Sequence, residues 1–168
     1  MRPAIALLTC AALLVSPACM VNHGCTTIGC GFSTQLMGNV SVPWQRLQSS
    51  IINVCRNDVC VAGRFSSITE QPPENVGLGF SLSNVADALE PTATVTVFTR
   101  TGGKFDIMVT WPNVTNAKDG DTYRVTLTDA ASTALLSLSE KAVYQVSQPN
   151  GPDCAPVCRT FNVDRRTL

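Results

Sequence analysis

The residues best equipped for chemistry in this chain are its cysteines. Six of the eight fall in three close pairs: Cys25 with Cys30, Cys55 with Cys60, and Cys154 with Cys158. Thiols so spaced form disulfides in an oxidising compartment or hold a metal in a reducing one. No Cys-x-x-Cys occurs, which argues against a thioredoxin-type redox centre. Only one histidine, His23, could complete a zinc site. Disulfides are therefore expected, and neither a metal nor any other cofactor is.

Other catalytic groups are sparse. A Ser-His or Cys-His centre would have to use His23, which lies close to the N-terminus, and nucleophilic catalysis needs fixed geometry. No Gly-rich phosphate loop follows a strand pattern. The carboxylates are scattered, so an acid pair could only be assembled from distant loops. Asp119 and Asp121 form an Asp-Gly-Asp that could contribute to a calcium site, but the fuller ligand series is missing and turn chemistry is the simpler reading. Two Asn-x-Ser/Thr sequons, at Asn39 and Asn113, are what chance gives in so Ser/Thr-rich a sequence.

A seventh cysteine, Cys19, has a different chemistry in prospect. Arg2 supplies a positive charge, residues 4–15 are apolar apart from Thr9, and Ser16-Pro17-Ala18 follows. This is the pattern of a secretory signal, and the apolar run falls short of the roughly 20 residues a spanning helix needs. Val15-Ser16-Pro17-Ala18-Cys19 is similar to a bacterial lipobox, although Ser16 and Ala18 also suit ordinary signal peptidase. Cleavage after Ala18 leaves an odd number of cysteines. Lipidation of Cys19 removes the surplus thiol and leaves six to pair. The expected organisation is a signal peptide over 1–18, a lipidated, Cys-bearing tether over 19–31 and one domain over 32–168.

Removing the signal takes Arg2 with it, leaving 12 acidic residues and one basic residue fewer. The charges are scattered, with no basic footprint for nucleic acid. The expected partners are the membrane, through the lipid, and an envelope protein or glycan. Localisation follows: the outer membrane or cell surface, or the medium if Cys19 carries no lipid.

The elements that position these residues read as strands. Alternation with turn punctuation marks 32–38, 50–55, 60–66, 94–99, 104–111, 121–128, 134–138, 142–146 and 158–164. A helical turn fits 83–90, and 68–80, with Pro72-Pro73, Gly77 and Gly79, reads as a long loop. About eight short strands predict an all-β, two-sheet antiparallel sandwich of immunoglobulin-like type. Phe98, Phe105, Ile107, Val109, Tyr123, Val125, Leu127, Phe161 and Val163 fall on its inward faces. The stretch 119–125 is similar to the start of a late strand in such domains, where a Tyr, here Tyr123, bonds back to the backbone at the sheet corner.

That topology bears on the cysteines. Cys55 and Cys60 bracket Arg56-Asn57-Asp58-Val59 and would face each other across a hairpin. Cys25, Cys30, Cys154 and Cys158 could pair within each cluster. An immunoglobulin-like sandwich, however, sets its first and last strands side by side and favours cross-links between the clusters. Closing so long a loop stabilises by about 4 to 5 kcal/mol on the chain-entropy model. Which partner each of the four takes stays open. Loop 148–159, with three prolines and two cysteines, is stiff; it either returns the chain to the last strand or presents a binding surface.

The segments 25–30, 54–60 and Pro149-Asn150-Gly151-Pro152-x-Cys154-x-Pro156-x-Cys158-Arg159 resemble those of small uncharacterised lipoproteins of the myxobacterial type. The resemblance implies a β-sandwich at the envelope, and it carries no catalytic residues over. A non-enzymatic structural or interaction module is the expected function. The alternatives are a secreted hydrolase with an acidic-residue site, and a peptidase-inhibitor-like module using loop 148–159.

Overall fold

Period-two alternation governs more than half of the described residues in the structure, a computed structural model that describes residues 29–30, 34–83, 93–112 and 116–166. Ten strands result among these residues: β1 (Thr34–Ser41), β2 (Ile51–Arg56), β3 (Val59–Arg64), β4 (Gly77–Leu82), β5 (Ala93–Arg100), β6 (Lys104–Trp111), β7 (Thr122–Thr128), β8 (Ala134–Lys141), β9 (Gln145–Ser147) and β10 (Cys158–Asp164). One short helix, α1 (Trp44–Gln48), links β1 to β2. The strands form a six-stranded sheet, ordered β4-β5-β6-β1-β10-β9, and a four-stranded sheet, ordered β3-β2-β7-β8. The two pack face to face as an all-β sandwich around a single apolar core.

Every neighbouring pair of strands is antiparallel except β1 and β10, which run parallel with Thr34 opposite Phe161 and Met37 opposite Asp164. The first and last strands therefore lie side by side in the middle of the larger sheet. Their starts meet at one end of the sandwich, where Cys30 bonds to Cys158.

Alternation explains which residues fill the interior. β6 turns Phe105, Ile107, Val109 and Trp111 inward, and β7 turns in Tyr123, Val125 and Leu127; all are essentially fully buried. Each such side chain contributes about 1.5–3 kcal/mol relative to exposure. Trp111 and Tyr123 meet edge to face with ring centroids 4.8 Å apart, a favoured aromatic geometry. Gly38 on β1 lets the two sheets approach, because a Cβ there would lie 2.9 Å from Leu136 on β8.

The structure corrects several expectations. Residues 77–82 are a strand rather than part of a loop over 68–80. Their alternation is of Leu78, Phe80 and Leu82 with Gly77, Gly79 and Ser81. The glycines that suggested a loop serve close packing. A Cβ at Gly77 would lie 2.5 Å from the Phe98 ring, and one at Gly79 would lie 2.9 Å from the Val95 carbonyl oxygen. Phe98 is not a core residue: β5 turns Ala93, Val95, Val97 and Thr99 inward and leaves Phe98 half-buried on the outer face. Phe161 and Val163 are only half-buried, because β10 is covered less completely than the strands beside it. α1 is an addition to the expected elements; Pro43 precedes it, and Trp44 and Leu47, one turn apart, are buried. The first strand begins at Thr34, and of the helical turn at 83–90 all but Ser83 falls outside the described residues.

Tyr123 also departs from expectation. Its hydroxyl does not bond back to the backbone. It meets the Tyr144 hydroxyl, and Thr34 Oγ1 lies 3.4 Å from it and 3.5 Å from that of Tyr144. Three buried hydroxyls from β1, β7 and the β8–β9 connection thus satisfy one another between the sheets, as buried polar groups must. Burial is the main reason the Tyr123 phenol is pushed well above its ordinary value.

Candidate functional site: a charged cleft and a braced loop

The two ends of the sandwich carry different surfaces. At the end where β1 and β10 finish, a cleft of about 370 Å³ is lined by Asn39, Arg100, Thr101, Lys104, Asp106, Asp164 and Arg166. The β5–β6 hairpin builds one wall. Gly102 and Gly103 both take positive φ, at 76° and 72°, which glycine alone adopts freely. The tight turn sets Arg100 directly opposite Lys104. Asp106 stands two residues further along β6, on the outer face of the sheet, between Phe98 and Asn39 on the flanking strands.

Asp106 forms the floor of the cleft and is only 4% exposed. Two arginines satisfy it: Arg100 Nε donates at 2.7 Å and Arg166 Nη1 at 3.1 Å. Arg166 also grips Asp164 through Nε and Nη2. That hydrogen bonding is the chief reason the Asp164 carboxyl is lowered to about 2, and the Arg166 guanidinium is correspondingly raised. General acid catalysis at neutral pH calls for a carboxyl raised toward 7. Asp164 is shifted the opposite way, as an ion-paired carboxylate is.

At the other end lies loop 148–159. Part of its bracing is internal. Asn150, 7% exposed, donates from Nδ2 to the Ala155 carbonyl. The Gly151 amide donates to Gln148 O and the Cys154 amide to Gly151 O. The Ala155–Pro156 peptide is cis. Cys158 and Cys154 are buried, and both are in disulfides. Outward lie Pro152, Asp153, Ala155 and Val157, the last 54% exposed. The loop is neither folded into the core nor free of it: its cysteines and Asn150 are anchored while its outer side faces solvent.

The remaining sequence candidates have definite places. Cys55 and Cys60 are bonded across the first residues of the β2–β3 hairpin, at directly opposed positions. Asp121 is 1% exposed and serves the turn before β7. It accepts from Arg56 Nε and Nη2 at 3.3 and 2.8 Å, from Asn57 Nδ2 at 3.2 Å and from the Lys118 amide at 3.2 Å. Burial pushes its carboxyl up, yet these donors outweigh burial and hold it below its ordinary value. Asp119 accepts from the Tyr144 amide at 2.8 Å. Both aspartates are thus committed to turn structure, and among the described residues no group of three or more His, Cys, Asp or Glu could hold a metal. Asn39 of the first sequon lines the cleft, half-buried in β1. Cys19, His23, Cys25 and the sequon at Asn113 lie outside the described residues.

The cleft is not legible in the sequence. A faint signal exists: Asp106 breaks the apolar run of β6, and Arg100 and Lys104 flank the Gly102-Gly103 turn. Nothing in the sequence places Asp164 and Arg166 beside them, since that follows from the parallel β1–β10 pairing. Among the described residues no helix is long and apolar enough to cross a membrane. No known protein family, curated protein or solved structure matches the chain.

Proposed function

We propose that this chain is an exported lipoprotein of the cell envelope, anchored through Cys19, whose sandwich is a non-catalytic module recognising protein or glycan. The observation that carries the reading is the long-range disulfide. Cys30 and Cys158, 128 residues apart, are joined by a bond of the kind that persists in oxidising, extracytoplasmic compartments. The signal-like N-terminus and the Ala18-Cys19 junction support the same assignment. The parallel pairing of first and last strands supports the immunoglobulin-like character of the domain. Ion pairing in the cleft supports recognition over acid–base chemistry.

Intact-mass and peptide analysis of protein from membranes tests the anchor. A diacylglyceryl-modified Cys19 at the mature N-terminus is the expected result, with Cys19→Ser releasing the protein to the soluble fraction. An unmodified Cys19, or cleavage elsewhere, refutes it. Loop 148–159 supports a second reading, a peptidase-inhibitor-like module, because a braced loop loses little entropy on binding. Inhibition of a protease panel that disappears on Asp153→Ala or Val157→Ala would establish it.

A further inference from the structure

The cleft at the far end of β1 and β10 is more than an ion-pair cluster. Three cations, Arg100, Lys104 and Arg166, face two carboxylates, Asp106 and Asp164, which leaves one positive charge in excess. Lys104 is exposed and makes no salt bridge among the described residues. The arginines are fixed but not used up. Arg100 gives Nε to Asp106 and Nη1 to Asn75, so of the five N–H groups of a guanidinium it retains donors at Nη2. The Arg100 and Arg166 side chains are still 39% and 33% exposed. Donors held in place by a buried carboxylate are preorganised, which lowers the entropy cost of taking up a ligand.

We propose that this cleft binds the carboxylate of an acidic sugar, a uronate unit of an envelope glycan. Charge selects the class of ligand. A monoanion matches the single excess positive charge, whereas a phosphate dianion leaves negative charge uncompensated beside Asp164. Surroundings select the carrier. Asn39 and Thr101 line the same cleft as polar neighbours for sugar hydroxyls, and the Asp164 side chain beside them is 51% exposed. The volume of about 370 Å³ lies within the few-hundred-Å³ range of small-ligand sites. Position agrees too. Cys30 is at the start of β1 and the cleft at its finish, so an anchor at Cys19 leaves the cleft on the opposite end of the domain. The inference rests on reading the domain as a glycan-facing module.

Titration calorimetry of the full mature protein with an oligogalacturonate tests it, against the methyl-esterified oligomer and inorganic phosphate. The oligogalacturonate binds, and its affinity falls as salt rises. Esterification and Lys104→Gln each weaken it about tenfold, the loss of one charge-assisted contact, and Lys104→Glu abolishes it. Because Lys104 is exposed and outside any salt bridge among the described residues, both variants keep the wild-type melting temperature. No binding, equal binding of the ester, equal binding by phosphate, or an unaltered Lys104→Gln titration each overturns the proposal. Failure of the envelope reading appears elsewhere, as an unmodified Cys19, and so is distinguishable from failure of the site.

Discussion

Arg56 and Asp121, 65 residues apart in sequence, form a buried ion pair that closes the β2–β3 hairpin onto the turn before β7. The side chains are 15% and 1% exposed. Asn57 completes the joint by bonding both Asp121 Oδ1 and the Thr122 amide. Removing Asp121 takes two charge-assisted hydrogen bonds from the largely buried Arg56 guanidinium. Asp121→Ala therefore costs about 3 kcal/mol in urea unfolding at neutral pH.

Acid should act through the same carboxylate. Its folded value lies below the ordinary 3.8, so the native state binds this proton less readily than the unfolded chain does. The resulting stability is complete above the ordinary value and is lost as pH falls through the folded one. Asp121→Asn is accordingly less stable at neutral pH, but loses less additional stability than the wild type below about pH 4. Parallel acid limbs for the two proteins in chemical denaturation would show that Asp121 does not carry this dependence.

The three internal hydroxyls make a cycle measurable. Tyr144→Phe strips a partner from the buried Tyr123 hydroxyl and costs about 1–2 kcal/mol. Tyr123→Phe costs a similar amount. The double variant costs less than the sum, because it leaves no phenol unsatisfied, and Thr34 alone must then find a partner. Strict additivity would mean that the two phenols are not coupled.

The two described disulfides differ in what they restrain. Cys55 and Cys60 span 5 residues and sit on strands the hairpin ladder already aligns, so Cys55→Ala/Cys60→Ala costs no more than about 2 kcal/mol. Complete reduction also frees the bond across 128 residues and the disulfide of Cys154, and lowers the urea midpoint much further. Equal midpoints for the double variant and the fully reduced wild type would contradict this ranking.

Close packing at Gly63 gives a steric test. A Cβ there would fall 2.2 Å from Leu82 Cδ2 and 3.0 Å from the Phe80 ring. Gly63→Val forces β3 away from β4 and destabilises by about 1–3 kcal/mol. Leu82→Ala in the same background recovers part of the loss, as thermal unfolding of the two variants should show.

How far the sequence reveals this molecule depends on how its signals are spaced. Alternation in 104–111 and 121–128 is local, and spacing alone marks Phe105, Ile107, Val109, Tyr123, Val125 and Leu127 as inward-facing, where all six are buried. β4 escapes notice because two of its outward positions are glycines that cross-strand packing requires. Phe98 misleads because its size suggests the core while the parity of β5 puts it outside. The cleft is hardest to read, for its charges come from β5, β6 and the end of β10, with Asn39 of β1 beside them, and only the sheet order unites them.

The Cys30–Cys158 bond has a mechanical consequence for a domain tethered from its N-terminal side. Tension arriving at Cys30 divides at that residue. Part enters β1 and part crosses the disulfide into β10. These strands are parallel neighbours, so both are pulled from the same end and move together. β1 is not peeled from β10 one hydrogen bond at a time. The load instead spreads in shear, to β6 across eight paired residues and to β9 across three. For a domain held in this way the cleft, at the finish of β1 and β10, lies at the opposite end of these strands from the point of load.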